Sequence, residues 1–372
     1  MNRRQFLALT SASVFGAALG TGKLMEMAVA TPDAHLLYSA SDNAVGGHFL
    51  TRLDWRQGTL TSQAVPVRGH AELPLADGRV LLFGRRPAFE CAVVSFTDTA
   101  IPSTPIATVA DRHFNGHGCL TADGKVLFTT ENDYAGKRGV LGLRDSQNWQ
   151  VLGEYNTYGL DPHDLQLLPD GKTLVVANGG IETHPDFGRR KLNRESMQPS
   201  LVYLDTDTGR KIDEYRLPDR LLSIRHLTVT AAGDVGVALQ YEGDLYHTQP
   251  ASLVAWQAQG GALELLDIPA ETVPLFQGYM ADIAHAPQQG ILACSSPRGN
   301  HTTVWSTRER RFLHAWQLPE PSGIAFLAEE QAFLVSDATG GLHLLPSSPQ
   351  QQAAQTLYQF TDVSWDNHLL LA

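Results

Sequence analysis

Five of the 14 histidines in this 372-residue chain occupy matching places in a recurring local pattern. Each follows a turn and opens an alternating apolar stretch, which runs to a tight turn and a second apolar stretch. His70 leads through Ala71-Glu72-Leu73 to Asp77-Gly78, and His117 through Gly118-Cys119-Leu120 to Asp123-Gly124. His163 leads through Asp164-Leu165 to Asp170-Gly171, and His226 through Leu227-Thr228-Val229 to Gly233-Asp234. His368 heads a last copy, Leu369-Leu370-Leu371, that the chain end cuts short. Two weaker copies begin at Asp282 and Gly323. Neutral imidazoles suit copper, iron, zinc or nickel, and rings brought together from separate segments form a metal site without any local motif. Glu72, Asn115, Asp161, Asp164, Asp282 and Asp366 stand beside them and are candidates to accept from the outward ring nitrogen, which would fix each tautomer.

The elements that position these residues follow from the repeat. The intervals between the seven anchors are 47, 46, 63, 56, 41 and 45 residues, and the seventh closes through the two termini. Repeats of this length, each with about four short period-2 strands and Asp-Gly hairpin turns, specify a β-propeller. The C-terminal copy lacks its partner strand, and His35-Leu36-Leu37-Tyr38-Ser39 at the other end supplies it. Sharing a blade between the termini closes the ring and hides the sheet edges. The fold is therefore expected to be all-β, a seven-bladed propeller of the WD40/YVTN kind, with blade 7 built from the C-terminus and residues 35–66. First strands line the channel, so the anchors should meet at one mouth of it. In blade 2 the stretch from His117 to Asp123 is one residue shorter than its counterparts, a register change that would turn His117 off the axis. A competing role is a hydrogen-bonded brace, as in the Gly-His of WD-type blades. Gly69-His70 and Gly116-His117 fit that role; His163, His226 and His368 lack the glycine, and no Trp-Asp closes the blades.

The first residues read as an address. Arg3-Arg4-Gln5-Phe6-Leu7 resembles a twin-arginine export signal, the stretch from Leu7 to Gly22 is weakly apolar, and Ala28-Val29-Ala30 is a small-x-small cleavage pattern. Residues 1–30 are expected to be the signal, and residues 31–372 a single periplasmic propeller domain with no membrane span after cleavage. A formal net charge of −11 argues against nucleic-acid binding, which needs a basic face. Cys91, Cys119 and Cys294 match no zinc or haem spacing and read as buried thiols. No nucleophile elbow, His-Glu-x-x-His, P-loop or dinucleotide fingerprint is present, so hydrolase and dehydrogenase classes lose support.

Blade 3 carries a long loop from Gly179 to Pro199. Arg189, Arg190, Lys191 and Arg194 concentrate positive charge in it, and His184 lies in the same stretch. Arginine grips carboxylate or phosphate bidentately, and Phe187, Leu192 and Met197 could anchor the loop as a lid over the mouth. Arg85-Arg86, Glu131-Asn132-Asp133, Tyr241-Glu242, Arg298 and Asp337, at the ends of second strands, are expected around the same face. Asp164, Asp282, Glu131, His184, Arg189, Arg190, Lys191, Arg194 and Arg225 are thus the candidate ligand-binding residues, and His70, His117, His163, His226 and His368 the candidate metal ligands.

Asp161-Pro162-His163-Asp164-Leu165, the run from Ala177 to Pro185, Gly188-Arg189, Lys191-Leu192-Asn193 and Met197 to Leu201 resemble the domain-of-unknown-function 1513 family. Ile224-Arg225-His226-Leu227 and Trp365-Asp366-Asn367-His368 fit it too. The resemblance spans the chain after the signal. It implies an exported bacterial propeller with no established reaction, whose genes lie beside imelysin-like proteins of iron acquisition. An imelysin-type uptake protein is therefore the implied partner. Three functions follow as expectations: a propeller binding a transition metal or metal-bearing ligand, an oxidoreductase using the same mouth, and an interaction platform with structural histidines. A calcium-dependent lactonase is disfavoured, because calcium takes oxygen ligands.

Overall fold

A computed structural model describes residues 35–98, 102–188, 190–348 and 353–371. The expected signal, residues 1–30, lies outside them. The described residues form seven antiparallel sheets, one per blade. The inner strands are Gly69–Pro74, Arg112–Leu120, Pro162–Leu167, Leu222–Val229, Ile283–Ala286 and Pro321–Leu327 in blades 1 to 6. In blade 7 the short segments Ser364–Trp365 and Leu370–Leu371 both pair with Leu36–Asp42, which continues into His48–Asp54 and Thr59–Ala64. The termini share a blade as the repeat arithmetic requires.

Burial follows the blade geometry. Second strands are covered by neighbouring blades on both faces, so Val235–Tyr241, Ile291–Ser296 and Ala332–Asp337 are buried throughout. Outer strands such as Val151–Asn156 and Lys211–Tyr215 are short and mostly exposed, which blunts the sheet edges. The core lies between blades: Val175 and Leu201 of blade 3, Leu239 and Val254 of blade 4, and Leu292 and Trp305 of blade 5 share one cluster. Regular helix is confined to three short 3-10 turns among the described residues, and none of these is long and apolar enough to cross a membrane. All three cysteines are free; burial pushes the Cys91 thiol up to about 12 and raises Cys119 and Cys294 also, which makes them poor nucleophiles.

One irregularity recurs. The inner strands of blades 1, 2, 3, 4 and 6 slip register against their second strands, between Gly69 and Glu72, Phe114 and Gly118, Pro162 and Asp164, Ile224 and Leu227, and Pro321 and Ile324. In blade 7 the ladder breaks between Trp365 and Leu370. Every channel histidine sits in such a bulge or break. Bulges re-aim side chains out of the normal pleat, and here they turn the anchor residues towards the axis.

Candidate metal centre

The bulges bring His70, His117, His226 and His368 together at the channel axis, with one ring nitrogen of each within 4.8 Å of the other three. His70, His117 and His226 are buried and His368 nearly so. Ring centroids of His368 lie 4.6 Å from those of His70 and His226 and 4.7 Å from that of His117. His117 does face the axis. The one-residue deficit in its blade is absorbed by the slip between Phe114 and Gly118, at whose centre Gly116 has φ 108°.

Each ring is held from behind through Nδ1. His70 reaches Asp366 Oδ1 at 2.8 Å, His117 reaches Asp164 Oδ1 at 3.1 Å, and His368 reaches Asp282 Oδ1 at 3.1 Å. His226 donates to the carbonyl of Ala281. A carboxylate or carbonyl at Nδ1 demands a proton there, which leaves the Nε2 lone pair facing inward. The Nε2 atoms of His117 and His368 are buried and have no hydrogen-bond partner. Unpaired buried acceptors are costly, and the four rings, held from outside with one nitrogen each turned inward, form a group that could hold a cation. Bonds of ~2.0–2.1 Å in a tetrahedral site put ligand nitrogens ~3.3–3.4 Å apart, so inward shifts of up to about 1 Å per ring close the four on an ion.

The same carboxylates also tie blades together. Asp164 Oδ2 accepts the Leu227 N–H of blade 4 at 2.9 Å, and Asp282 Oδ2 accepts the Ile324 N–H of blade 6 at 2.7 Å. One carboxylate in each case thus both braces neighbouring blades and fixes the orientation of an imidazole.

His163 stands beside the four. Its Nδ1 lies 3.2 Å from the Arg225 guanidinium, a group that only donates, so the proton of His163 is on Nε2. That nitrogen lies 2.9 Å from His226 Nε2, the lone pair a metal would take. Burial first, then Arg225 and the neighbouring rings, hold the His163 pKa well below its ordinary value; burial and the rings do the same to His226. Both are therefore neutral at neutral pH. Burial presses His368 the same way, but the Asp282, Asp164 and Asp366 carboxylates together outweigh it and raise that pKa.

The rings divide the channel. Residues that precede the histidines along the inner strands, Asn115, Arg225 and Asn367, line an upper chamber of about 340 Å³; those that follow, Glu72, Cys119, Leu227 and Leu369, line a lower one of about 410 Å³. The histidines therefore lie beneath the open rim, with residues of their own inner segments above them on the chamber wall. Burial raises the Glu72 pKa well above the usual range; one oxygen accepts the Ala40 N–H at 2.6 Å and Oε2 is buried without a partner.

The other expected site residues separate. Arg225 and Lys191 reach the upper chamber, with Arg85, Arg86 and Arg298. Glu131 does not: it is buried within blade 2, 3.1 Å from the buried Arg144. His184 caps the 3-10 turn Pro185–Phe187 and packs 5.1 Å from Tyr134. Arg190 is exposed, Arg194 bonds the Glu242 carbonyl, and Arg189 lies outside the described residues. Asp161 holds Arg86 and Arg225. Asp337 is buried against His343 at 2.7 Å, away from the chamber wall. Of the lid's expected anchors, Met197 is buried while Phe187 and Leu192 are exposed; the loop is pinned instead by Asn193, whose side chain bonds Glu182 N and Gly180 O. Tyr279, Gln240 and Asn367 also line the chamber. They are uncharged and carry no repeat signal, although Asn367 adjoins His368.

Two glycines make room for the rings. A Cβ on Gly116 would lie 2.5 Å from His70 Cδ2, and one on Gly323 would lie 2.5 Å from the His368 carbonyl carbon. Gly116→Ala combines that clash with a positive φ, so it should displace His70 and weaken metal binding by ten-fold or more. A competition titration with a chromophoric chelator measures this; unchanged affinity would show that His70 has no share in the site.

Residues 63–372 match the protein family described as "Protein of unknown function (DUF1513)". No curated protein matches. Among solved structures, hydrazine synthase of Kuenenia stuttgartiensis is similar with a TM-score of 0.60 at 15% identity, covering 85% of this chain and 96% of that one. The periplasmic gluconolactonase PpgL of Pseudomonas aeruginosa is similar with a TM-score of 0.58 at 14% identity, covering 90% and 100%. At such identity the likeness concerns the fold alone.

Proposed function

The chain belongs to the DUF1513 family, whose description assigns no reaction, and we propose from the site itself that it binds one transition-metal ion in the propeller channel. The ligands are the Nε2 atoms of His70, His117, His226 and His368. The observation that carries this is the pairing of four outward Nδ1 contacts with inward nitrogens, two of them buried and unpartnered. An all-imidazole set selects copper, iron, zinc or nickel over calcium, which takes oxygen ligands. Asp366, Asp164 and Asp282 orient the rings and raise their basicity. The His163 proton opposes binding, since it occupies the lone pair of His226. A bound ion would supply Lewis acidity or a redox couple beneath the upper chamber.

In this reading the protein is exported by the twin-arginine signal and handles metal in the periplasm, in the service of an imelysin-type uptake partner. Elemental analysis of the protein purified after export through its own signal tests the core of the reading. About one copper, iron, zinc or nickel per chain supports it. No metal, even after incubation with each ion, overturns it and leaves the histidines as braces between blades.

A further inference from the structure

The upper chamber is walled by cations. Arg85, Arg86, Lys191, Arg225 and Arg298 line it, and among the described residues no carboxylate does. The acids that compensate them stand behind. Asp161 takes Arg86 and Arg225, Asp366 takes Arg85, and Glu242 takes Lys191. Three carboxylates thus face four of the cations, and Asp366 is shared further with Arg68 at 3.4 Å and with His70. Arg298 enters no ion pair among the described residues; its guanidinium lies over the Tyr279 ring at 4.6 Å. Burial lowers the Lys191 pKa, and Arg225 and Arg298 add to that effect, so the charges crowd one another. On a chain of net charge −11, such a chamber is a local inversion of sign.

Size and the remaining lining decide the class of anion. An inorganic oxyanion would fill a small part of about 340 Å³ and leave the rest to water. Asn115, Gln240, Asn367 and the Tyr279 hydroxyl are neutral groups suited to the hydroxyl or carbonyl oxygens of an organic skeleton. Arginine forks match carboxylates in pairs. We propose that the upper chamber is the binding site for a small organic polycarboxylate, held by Arg85, Arg86, Arg225, Arg298 and Lys191 above the histidine rings. This goes beyond the metal reading and does not need it, because the cations compensate the ligand whether or not the rings hold an ion.

Calorimetric titration of the purified protein with tricarballylate, a tricarboxylate without the hydroxyl of strong chelators, tests the proposal. Inorganic phosphate and the neutral triamide of the same acid serve as comparisons, and metal content is measured in every sample. Saturable one-site binding of tricarballylate that weakens as salt rises is expected, with phosphate weaker and the triamide silent. Arg298→Gln leaves no buried acid unpaired, so it should keep the melting temperature and metal content of the parent while losing roughly ten- to a hundred-fold in tricarballylate affinity. No binding, equal binding of the triamide, or full affinity in Arg298→Gln overturns the proposal. Phosphate binding tighter than tricarballylate overturns the polycarboxylate assignment in favour of an inorganic oxyanion. Metal content reports on the histidines separately, so either idea can fail alone.

Discussion

His368→Ala is expected to weaken metal binding by roughly 10²–10³-fold, whereas His163→Ala leaves it intact or strengthens it. His368 Nε2 is buried without a partner and its ring touches those of the other three ligands. Structural zinc sites of zinc-finger peptides gain ~10–16 kcal/mol, about 3 kcal/mol for each of four ligands, and on that scale losing one ligand should cost roughly 10²–10³-fold in affinity. The Asp282 carboxylate left behind by His368→Ala keeps its bond from Ile324 N–H, which limits the damage to the fold. His163 behaves oppositely because its proton-bearing Nε2 lies against His226 Nε2; removing it frees that lone pair. Chelator-competition titrations, read beside melting curves, compare the two variants. Equal losses in both would place His163 among the ligands, and no loss in either would end the metal assignment.

Ending the chain after Val363 should abolish cooperative unfolding. The missing segment supplies the inner strand of blade 7, pairing Leu370 and Leu371 with Tyr38 and Leu37, and Trp365 with Ser41. Trp365 and Leu369 are buried at 3% and 7% exposure, and each is worth about 1.5–3 kcal/mol. Asp366 N–H bonds Ala40 O at 2.9 Å, Ser39 Oγ donates to His368 O at 2.6 Å, and the Asp366 carboxylate holds Arg85 and His70. Their combined loss approaches the ~5–15 kcal/mol that holds a whole domain folded, and it bares the edge of Leu36–Asp42 to other chains. Urea unfolding followed by circular dichroism and by tryptophan fluorescence measures this. A truncated chain with the midpoint and slope of the parent would mean that the ring does not depend on its closing strand.

The repeat, the seven blades, the shared blade 7 and the recurrence of histidine at one place in the repeat were all legible in the sequence. They rest on local signals: a two-residue apolar period, Asp-Gly turns, and recurrence of one residue type at one repeat position. Tertiary structure decided everything that depends on direction. Whether a ring faced the axis turned on the register slips in the inner strands, and spacing alone gave the wrong sense for His117. Which nitrogen faced inward turned on acceptors from other blades, Asp164 for His117 and Asp282 for His368. His163 parted from its four fellows because Arg225, one residue before His226 in the next blade, took its Nδ1. Glu131 carried the charge of a site residue, but Arg144 on the neighbouring strand drew it into the blade interior. The cationic chamber arose where strand ends and loops far apart in sequence converged above the rings. No local pattern encodes that convergence, because closing the ring is what creates it.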